Sequence, residues 1–375
     1  MRAAVAAVAA VAVVACSTGP TPVAPKSAEI AHPWPMFRGT AQHVGDFSAR
    51  AAPAGKLRWR VELGERVDAS AVVDIDGRVY VATRKGRVVV LDLATGKRLG
   101  QSHLGGSLWA SPALVGDTLV VASGSGHLIG VDRRTLKERW RRTAGAKSFS
   151  GLTIWRGRVY LCAGRKLIEL EPASGRIRRS VDLGSASFTA PAISADGKAI
   201  VVGSRRGAVH AFDLATFERR WQSRAAKRTD GSPTIADGRV FIGSDDNRLY
   251  AFDLATGRKL WTSAGDDWVV SNPAVYAGRV YFGDDGGVLR AADVGTGELR
   301  WTRKVGGDLA SAPTVVGERL IHGAHDGKIW LWDATTGEPA AEPIAVGASM
   351  YASPAVGPDG SVVLSTHRGA VVAVE

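Results

Sequence analysis

A short phrase recurs along this chain, and its spacing restricts the possible folds more than any other feature. Residues 249–261 read LYAFDLATGRKLW, and residues 289–301 read LRAADVGTGELRW. The acidic residue of the phrase returns at intervals of 39–42 residues. Its eight occurrences are Asp92, Asp132, Glu171, Asp213, Asp253, Asp293, Asp333 and Glu375. Periods near forty residues are typical of solenoids, propellers and other repeat arrays.

Two further markers keep the same interval. A glycine-led run of apolar residues, such as GRVYVAT at 77 and GRVYFGD at 278, occurs once per unit. A small residue followed by proline, such as SPA at 111 and SPT at 232, precedes it in most units. The runs are short, rich in β-branched and aromatic residues, and bounded by Gly, Asp and Asn, which indicates strands. Four short strands per unit describe a propeller blade, whereas sustained helical periodicity is missing from the sequence.

Tryptophan follows the acidic residue in several units, and its flat ring is suited to the wedge between two blades. We predict this blade-docking role for Trp59, Trp140, Trp221, Trp261 and Trp301. Other units depart from the phrase. Leu136 and Phe217 replace its glycine, and Gly100, Arg179 and Ala341 replace its tryptophan.

The two ends of the chain each carry part of one phrase. Residues 373–375 form its head, and Gly55 with Trp59 forms its tail. A ring is closed in this way when an N-terminal strand completes the C-terminal blade, which removes the open sheet edges. We therefore predict an all-β fold, an eight-bladed β-propeller of four-stranded antiparallel blades, over residues 56–375.

The N-terminus predicts export and a lipid anchor. Arg2 precedes a run of Ala and Val that is too short to span a bilayer, which is typical of a signal peptide. Small residues before Cys16 resemble the lipobox of bacterial lipoproteins, where the cysteine carries lipid. The alternative is ordinary signal cleavage with an incidental cysteine. We predict a signal peptide at 1–15, a Pro- and Ser-rich tether at 16–33 and a lead-in segment at 34–55.

Net charge is +12, and Lys and Arg are distributed over the whole chain. Nucleic-acid binding needs a concentrated basic footprint, so we expect no nucleic-acid partner. A diffuse positive charge fits attraction to anionic lipid head groups or to acidic partners.

The phrase A-x-D-x-x-T-G-x-x-x-W resembles the repeat of the pyrroloquinoline-quinone-like (PQQ-like) propeller family. Ala251, Asp253, Thr256, Gly257 and Trp261 match it fully. The resemblance covers nearly all of residues 34–375, and the lead-in HPWPMFRGTAQHVG is similar to that of exported, lipid-anchored members. It implies three possible functions, because a propeller is a platform for many activities.

The first is a protein–protein interaction scaffold, similar to the BamB-type lipoproteins of the outer membrane. That resemblance implies other envelope proteins as partners, including the outer-membrane barrel assembly complex. It also implies an anchor in the outer membrane, facing the periplasm, and a monomer. The second is a PQQ-dependent dehydrogenase with Ca²⁺ on the propeller axis, and the third is a small-ligand or sugar binder that uses the central channel.

The enzyme alternative has little support in the sequence. The chain lacks the adjacent cysteine pair and the large insertions of many quinoprotein alcohol dehydrogenases, and no metal-ligand or nucleophile motif is present. Cys162 lies in an apolar run and is expected to be a core residue. We predict no catalytic residue, no metal site and no cofactor.

Residues three positions before each proline, or before its equivalent in units 1 and 3, are expected to form a ring at one mouth of the channel. The candidates are Asp68, Trp109, Phe149, Phe188, Asp230 and Tyr351. Aromatic and acidic side chains could hold a flat or sugar-like ligand. The alternative is that they only fill the channel.

Charges in the loops after the glycine-led strands are segregated by unit. Units 1 and 4 carry Arg84, Lys85, Arg87, Arg205 and Arg206, whereas units 5 and 6 carry Asp245, Asp246, Asp284 and Asp285. Polar residues also suit hairpin turns in general. Because the sign changes with the unit, we predict an oriented partner-binding rim.

Overall fold

The computed structural model describes residues 32, 34–148 and 151–375. These residues form eight sheets arranged as a ring, so the predicted eight-bladed β-propeller is confirmed. Within the described ranges there is no helix long and apolar enough to cross a membrane. The predicted signal peptide, Cys16 and nearly all of the tether lie outside the described residues, as does Phe149.

Each blade is numbered by its order in the chain. The lead-in strand and the closing strand are β1 (Asp46–Phe47) and β2 (Leu57–Glu62). Blades 1 and 2 consist of β3 (Val72–Val73), β4 (Arg78–Ala82), β5 (Arg87–Asp92), β6 (Arg98–His103), β7 (Ala113–Val115), β8 (Thr118–Ala122), β9 (His127–Asp132) and β10 (Glu138–Thr143). Blades 3 and 4 consist of β11 (Thr153–Trp155), β12 (Arg158–Ala163), β13 (Lys166–Leu170), β14 (Ile177–Asp182), β15 (Ala192–Ile193), β16 (Ala199–Gly203), β17 (Ala208–Asp213) and β18 (Arg219–Arg224).

The second half of the ring follows the same order. Blades 5 and 6 consist of β19 (Thr234–Ala236), β20 (Arg239–Ser244), β21 (Arg248–Asp253), β22 (Lys259–Ala264), β23 (Ala274–Tyr276), β24 (Arg279–Gly283), β25 (Val288–Asp293) and β26 (Leu299–Lys304). Blades 7 and 8 consist of β27 (Thr314–Val316), β28 (Arg319–Gly323), β29 (Lys328–Asp333), β30 (Ile344–Ala345), β31 (Ala355–Val356), β32 (Val362–Ser365) and β33 (Ala370–Val374).

The termini close the ring as predicted. Strand β2 pairs antiparallel with β33 and becomes the fourth strand of blade 8. Lys56 and Glu375 exchange two backbone hydrogen bonds of 3.0 and 2.9 Å, and Arg58 pairs with the Glu375 carboxylate at 2.7 Å. The innermost strand of blade 8, β31, contacts β3 of blade 1. The first and last parts of the chain therefore share one sheet.

Tryptophan side chains on the fourth strands pack against the next blade. Trp221 of blade 4 donates from Nε1 to the carbonyl of Leu254, 2.9 Å away in blade 5. Its ring lies directly over Gly257, where a Cβ atom would come within 2.5 Å of the indole. Gly257 also has a φ of 73°, so both the conformation and the contact require glycine. The same contact recurs for Trp59, Trp140, Trp261 and Trp301 over Gly96, Gly175, Gly297 and Gly337.

Serines of the small-residue-plus-proline element connect the inner strands of neighbouring blades. Ser111 Oγ accepts from the amide of Ser70, and Ser232 Oγ accepts from the amide of Ala190. Across the ring closure, the amide of Ser353 donates to Ser70 Oγ at 2.9 Å. A small polar residue therefore satisfies backbone groups where the sheets converge.

Blade 7 departs from the predicted four strands. Strand β1 of the lead-in pairs in parallel with β27, so that this sheet has five strands. The fifth strand is added because the lead-in runs alongside the inner strands of the ring instead of staying outside it.

Candidate functional site

The two ends of the central channel are different. The loops entering each first strand and the hairpins between the second and third strands lie at one end, which we call the open mouth. At the opposite end the lead-in passes along the inner strands of successive blades, and we call this the sealed mouth. Lead-in carbonyls accept from inner-strand amides in six hydrogen bonds, namely Trp34–Val73, Pro35–Leu114, Ala41–Ile193, Gln42–Ile235, Val44–Val275 and Gly45–Val315.

Two fully buried side chains of the lead-in fill the sealed mouth. The Arg38 guanidinium donates to the carbonyls of Pro313 (2.5 Å) and Pro273 (3.1 Å), in blades 7 and 6. His43 lies 3.1 Å from the carbonyl of Pro233 through Nδ1 and 3.1 Å from Thr153 Oγ1 through Nε2. Burial lowers the pKa of Arg38 to about 9 and that of His43 to about 3, so the imidazole is neutral.

The sealed mouth could not be located from the sequence, because the lead-in has no repeat and no regular strand pattern. The only sequence feature that marked the lead-in was the occurrence of Arg38 and His43 among mostly small and aromatic residues. A ligand that uses the channel must therefore approach through the open mouth.

The predicted ring residues that the structure describes lie at the open mouth, where Asp68, Trp109, Phe188 and Asp230 each contact an arginine. The Asp68 carboxylate pairs with Arg84 at 2.5 Å and with Arg66 at 2.9 Å, and it lies 3.1 Å from His367 Nδ1. The Arg84 guanidinium also stacks over the Trp109 ring. This face of Trp109 is therefore covered by a side chain of the protein itself.

A second network occupies the opposite side of the mouth. Asp230 lies between Arg205 (3.6 Å) and Arg228 (3.2 Å), and the Arg205 guanidinium is 4.6 Å from the centre of the Phe188 ring. Burial raises the pKa of Asp230, against the effect of both arginines. Arg228 also pairs with Asp245 at 2.5 Å. Asp68 and Asp230 thus belong to separate networks.

Tyr351 completes the ring on the blade 8 side. Its ring lies 4.3 Å from His325 and 5.2 Å from His367, measured between ring centres. It is 41% exposed, and Trp268 in the loop that enters blade 6, which was not among the predicted residues, is 45% exposed. The open mouth therefore displays two large aromatic side chains to solvent.

The predicted rim residues lie around the same mouth, but some are held inside the protein. Arg87 pairs with the buried carboxylate of Glu65, and Asp246 accepts from the Tyr250 hydroxyl. Asp284 is fully buried and pairs with Arg290 at 2.5 Å. Lys85 and Arg206 are exposed. The exposed rim thus contains fewer charged residues than the sequence pattern predicted.

Several aspartate side chains lie close together on the acidic side of the rim. Burial, together with nearby Asp308, Asp267, Asp245 and Asp284, raises the pKa of Asp285 to about 6. On the other side, Arg205 and Arg206 of blade 4 meet Arg165 and Arg228 around one cavity of about 520 Å³. The two sides therefore carry opposite local charge.

The residues of the channel do not fit calcium. In the described part of the chain, no group of three or more His, Cys, Asp or Glu side chains is placed to hold a metal ion. Ca²⁺ requires six to eight oxygen ligands. Cys162 is buried and burial raises the pKa of its thiol to about 12, so it is unsuited to nucleophilic chemistry.

The chain matches a known protein family over most of its length. The family model described as outer membrane protein assembly factor BamB matches residues 41–189 and 163–375. Among curated proteins, the outer membrane protein assembly factor BamB of Nitrosomonas eutropha is 28% identical over 153 residues, covering 38% of this chain and 37% of that protein. The serine/threonine-protein kinase AfsK of Streptomyces griseus is 29% identical over 182 residues, covering 44% of this chain and 22% of the kinase. The matches thus span well under half the length of these relatives.

Solved structures share the fold. BamB from Moraxella catarrhalis has a TM-score of 0.73 at 20% identity, covering 86% of this chain and 99% of that one. Quinohemoprotein alcohol dehydrogenase from Comamonas testosteroni has a TM-score of 0.74 at 14% identity, covering 91% and 80%. At these identities the structural similarity establishes the propeller and leaves the activity open.

Proposed function

Because this chain belongs to the family of outer membrane protein assembly factor BamB, we propose that it is an envelope scaffold that binds other proteins. In this proposal Cys16 carries the lipid and the propeller faces the periplasm from the outer membrane. The partner is a component of outer-membrane protein assembly. Both the similarity to the Nitrosomonas protein of that name and the match to the family model support this assignment.

The observation that carries the proposal is the exposed surface of the open mouth. Trp268 is exposed there beside the negative arc around Asp285, Tyr351 is exposed in the loop that enters blade 8, and a positive arc surrounds Arg206 of blade 4. Tryptophan, tyrosine and arginine dominate binding energy at protein interfaces. Segregated charge orients an approaching partner and raises its association rate.

The test is affinity capture of the acylated protein from gently solubilised native membranes, followed by mass spectrometry. We expect barrel-assembly components to be recovered, and to be lost with Cys16→Ala, which also removes incorporation of labelled palmitate. Palmitate incorporation that persists in Cys16→Ala would contradict the anchor.

Charge reversal tests the face itself. Arg205→Glu with Arg206→Glu should reduce capture about tenfold or more, because two charges of the positive arc are inverted. Lys97→Glu with Arg258→Glu is the matched control, since these exposed residues lie in turns at the sealed end. Equal loss in both variants would show that net charge, and not the open mouth, governs capture.

We expect this scaffold to work without PQQ and without Ca²⁺. The arginine side chains over Trp109 and Phe188 cover the ring faces on which a quinone or a sugar would stack. Titration with PQQ plus Ca²⁺, followed by tryptophan fluorescence, should show no saturable change, and alcohols should support no dye reduction. Saturable binding with turnover would instead favour the dehydrogenase alternative.

A further inference from the structure

A second cavity lies between blades 3 and 4 and is distinct from the predicted ring. Its volume is about 330 Å³, within the range of small-molecule sites, roughly 300–1,000 Å³. It is lined by the loop after β14, including Ser185, and by strands β17 and β18 of blade 4. Arg206, Arg219 and Arg224 surround its opening, and His210 forms its inner wall.

His210 is an unsatisfied polar side chain in this wall. It is only 1% exposed, and neither ring nitrogen has a hydrogen-bond partner in the described residues. Ser185 Oγ, also in the lining, is buried without a partner there. Buried polar groups are nearly always hydrogen-bonded, so these two groups offer free hydrogen-bonding capacity to a molecule that enters the cavity. Burial, and to a smaller degree Arg219, lowers the pKa of His210 to about 4, so the neutral ring offers one N–H donor.

The equivalent position in the next three blades is satisfied internally. Tyr250 donates to Asp246, Arg290 pairs with Asp284 at 2.5 Å, and Trp330 Nε1 donates to Asp326 at 3.1 Å. In each case the acceptor is an aspartate of the hairpin in the same blade. The hairpin of blade 4 carries Arg205 and Arg206 instead, so His210 has no such acceptor.

The charge of the cavity is also uncompensated. Across the described residues, no carboxylate lies within 4.0 Å of the Arg206, Arg219 or Arg224 guanidinium. Arg219 donates to Gln222 Oε1 at 3.1 Å, and Arg224 donates weakly to the Arg206 carbonyl at 3.4 Å. Three exposed guanidinium groups around the opening of this cavity favour an anion.

We propose that this cavity is a binding site for a phosphate group. Arginine, histidine, serine and glutamine side chains offer more donors than the two oxygens of a carboxylate can accept, whereas a phosphate monoester presents three terminal oxygens. The guanidinium fork matches phosphate geometry in a bidentate contact. The volume leaves room for part of the molecule that carries the phosphate. Arg206 belongs both to this cavity and to the positive arc of the open mouth, whereas His210, Arg219 and Arg224 belong to the cavity alone.

Isothermal titration of the full chain with inorganic phosphate at low salt tests the site. Wild type should bind saturably, and Arg219→Ala with Arg224→Ala should bind about 100-fold more weakly, because each arginine supplies charged hydrogen bonds that contribute about tenfold in affinity. The matched control is Arg98→Ala with Lys304→Ala, which removes equal charge at the same repeat positions of blades 1 and 6. It should stay within about twofold of wild type.

His210→Val provides a second variant that should fold, because blades 1 and 8 carry Val89 and Val372 at this position. We expect about tenfold weaker phosphate binding, and near-complete rescue in His210→Gln, which restores a donor. In a ¹⁵N-histidine spectrum of wild type, phosphate should shift the His210 ring nitrogens. The absence of that shift, or equal weakening in the arginine pair and its control, would overturn the proposal.

Two probes distinguish the source of the phosphate. Dihexanoyl phosphatidic acid carries the group on a lipid head, and glycerol 3-phosphate carries it on a soluble molecule. Tighter binding of the lipid, abolished in the arginine pair, identifies a head-group site, whereas equal binding identifies a soluble phosphate ester. Failure of phosphate and of both esters to bind wild type would refute the site, while leaving affinity capture by the open mouth unaffected.

Discussion

At the scale of single residues, two of the three tryptophan replacements occur in matched pairs across blade boundaries, whereas the third, Ala341, faces the usual glycine, Gly55. Gly100 replaces the tryptophan of blade 1, and the facing turn of blade 2 carries Leu136 instead of glycine. A Cβ atom at Gly100 would lie 2.9 Å from Leu136 Cδ1. Likewise Arg179 replaces the tryptophan of blade 3, and its guanidinium lies 4.5 Å from the centre of the Phe217 ring in blade 4. A large side chain on the turn thus fills the space that a tryptophan would occupy.

This exchange predicts strong coupling between the two positions. Gly100→Trp alone should lower the free energy of unfolding by about 1–3 kcal/mol, because the ring collides with Leu136. Adding Leu136→Gly should recover at least about 1 kcal/mol beyond the sum of the single effects, since the indole can then pack on the glycine. Urea unfolding of both single variants and the double variant measures the coupling.

The control combines Gly100→Trp with Phe217→Gly, at a boundary two blades away. These two changes share no contact and should add within about 0.5 kcal/mol. If the effects of Gly100→Trp and Leu136→Gly on the free energy of unfolding are also additive, the two positions are independent and do not compensate for each other.

The sequence predicted the docking tryptophans better than it predicted the mouth residues, for a physical reason. Trp221 and Gly257 occupy fixed positions of the repeat, and five boundaries keep this contact, so periodicity alone relates them. Asp68 and Arg84 were assigned to a ligand ring and to a partner rim, yet they pair with each other. Such pairing depends on side-chain rotamers in loops that differ from blade to blade, which the repeat does not encode.

At the scale of elements, the lead-in is the part of the fold that the repeat did not predict. It hydrogen-bonds to inner strands around most of the ring, and its strand β1 joins blade 7. The sequence shows no pattern for either feature. A segment that pairs with a different blade every few residues has no repeating interval that could reveal this pairing. Arg38 is central to it, since one guanidinium bridges the carbonyls of blades 6 and 7.

We predict that Arg38→Met destabilises the sealed mouth. The substitution keeps an apolar side chain of similar length but leaves the buried Pro313 carbonyl without a donor, at about 1–3 kcal/mol, while the Pro273 carbonyl keeps its hydrogen bond from Thr234 Oγ1. Hydrogen exchange should accelerate at the amides of Val275 and Val315, which donate to the lead-in. Arg50→Met, in the same segment but at the surface, is the control. Unchanged exchange in Arg38→Met would mean that the backbone bonds alone hold the lead-in.

The buried His43 predicts a pH dependence of stability. Its folded pKa of about 3 lies below the ordinary value of 6.5, so the unfolded chain takes up a proton first as the pH falls. The free energy of unfolding should therefore decrease from about pH 6.5 downwards, by as much as about 1.4 kcal/mol per pH unit for this group. His322, also buried with its pKa lowered to about 4, acts in the same direction.

Urea unfolding between pH 7 and pH 5 measures this slope. His43→Gln should reduce the slope by about 1 kcal/mol per pH unit, whatever its effect on stability at pH 7. His103→Gln, at an exposed position, should leave the slope unchanged. Equal slopes in all three proteins would show that His43 does not titrate on unfolding.

At the scale of the whole molecule, one pairing of distant segments holds the ring closed. Strand β33 is buried along its length between β32 and β2. The split phrase predicted this pairing, because one repeat divided between two ends has a single arrangement in a closed ring. The charge distribution of the open mouth, by contrast, depends on loops from several blades. These loops come together only in the closed ring.

Removal of residues 370–375 should therefore abolish the ring and not only loosen one blade. Without β33, strand β2 has no sheet partner, β32 becomes an unpaired edge, and the apolar faces toward blades 7 and 1 are exposed. We expect the cooperative thermal transition to disappear and the protein to aggregate on size exclusion, since unpaired apolar edges promote association. Glu375→Gln is the control, because it keeps the two backbone hydrogen bonds with Lys56 and removes only the ion pair with Arg58, about 1 kcal/mol or less at this exposed position. A monomer lacking 370–375 that still melts cooperatively near the full-length temperature would show that seven blades and an open edge suffice.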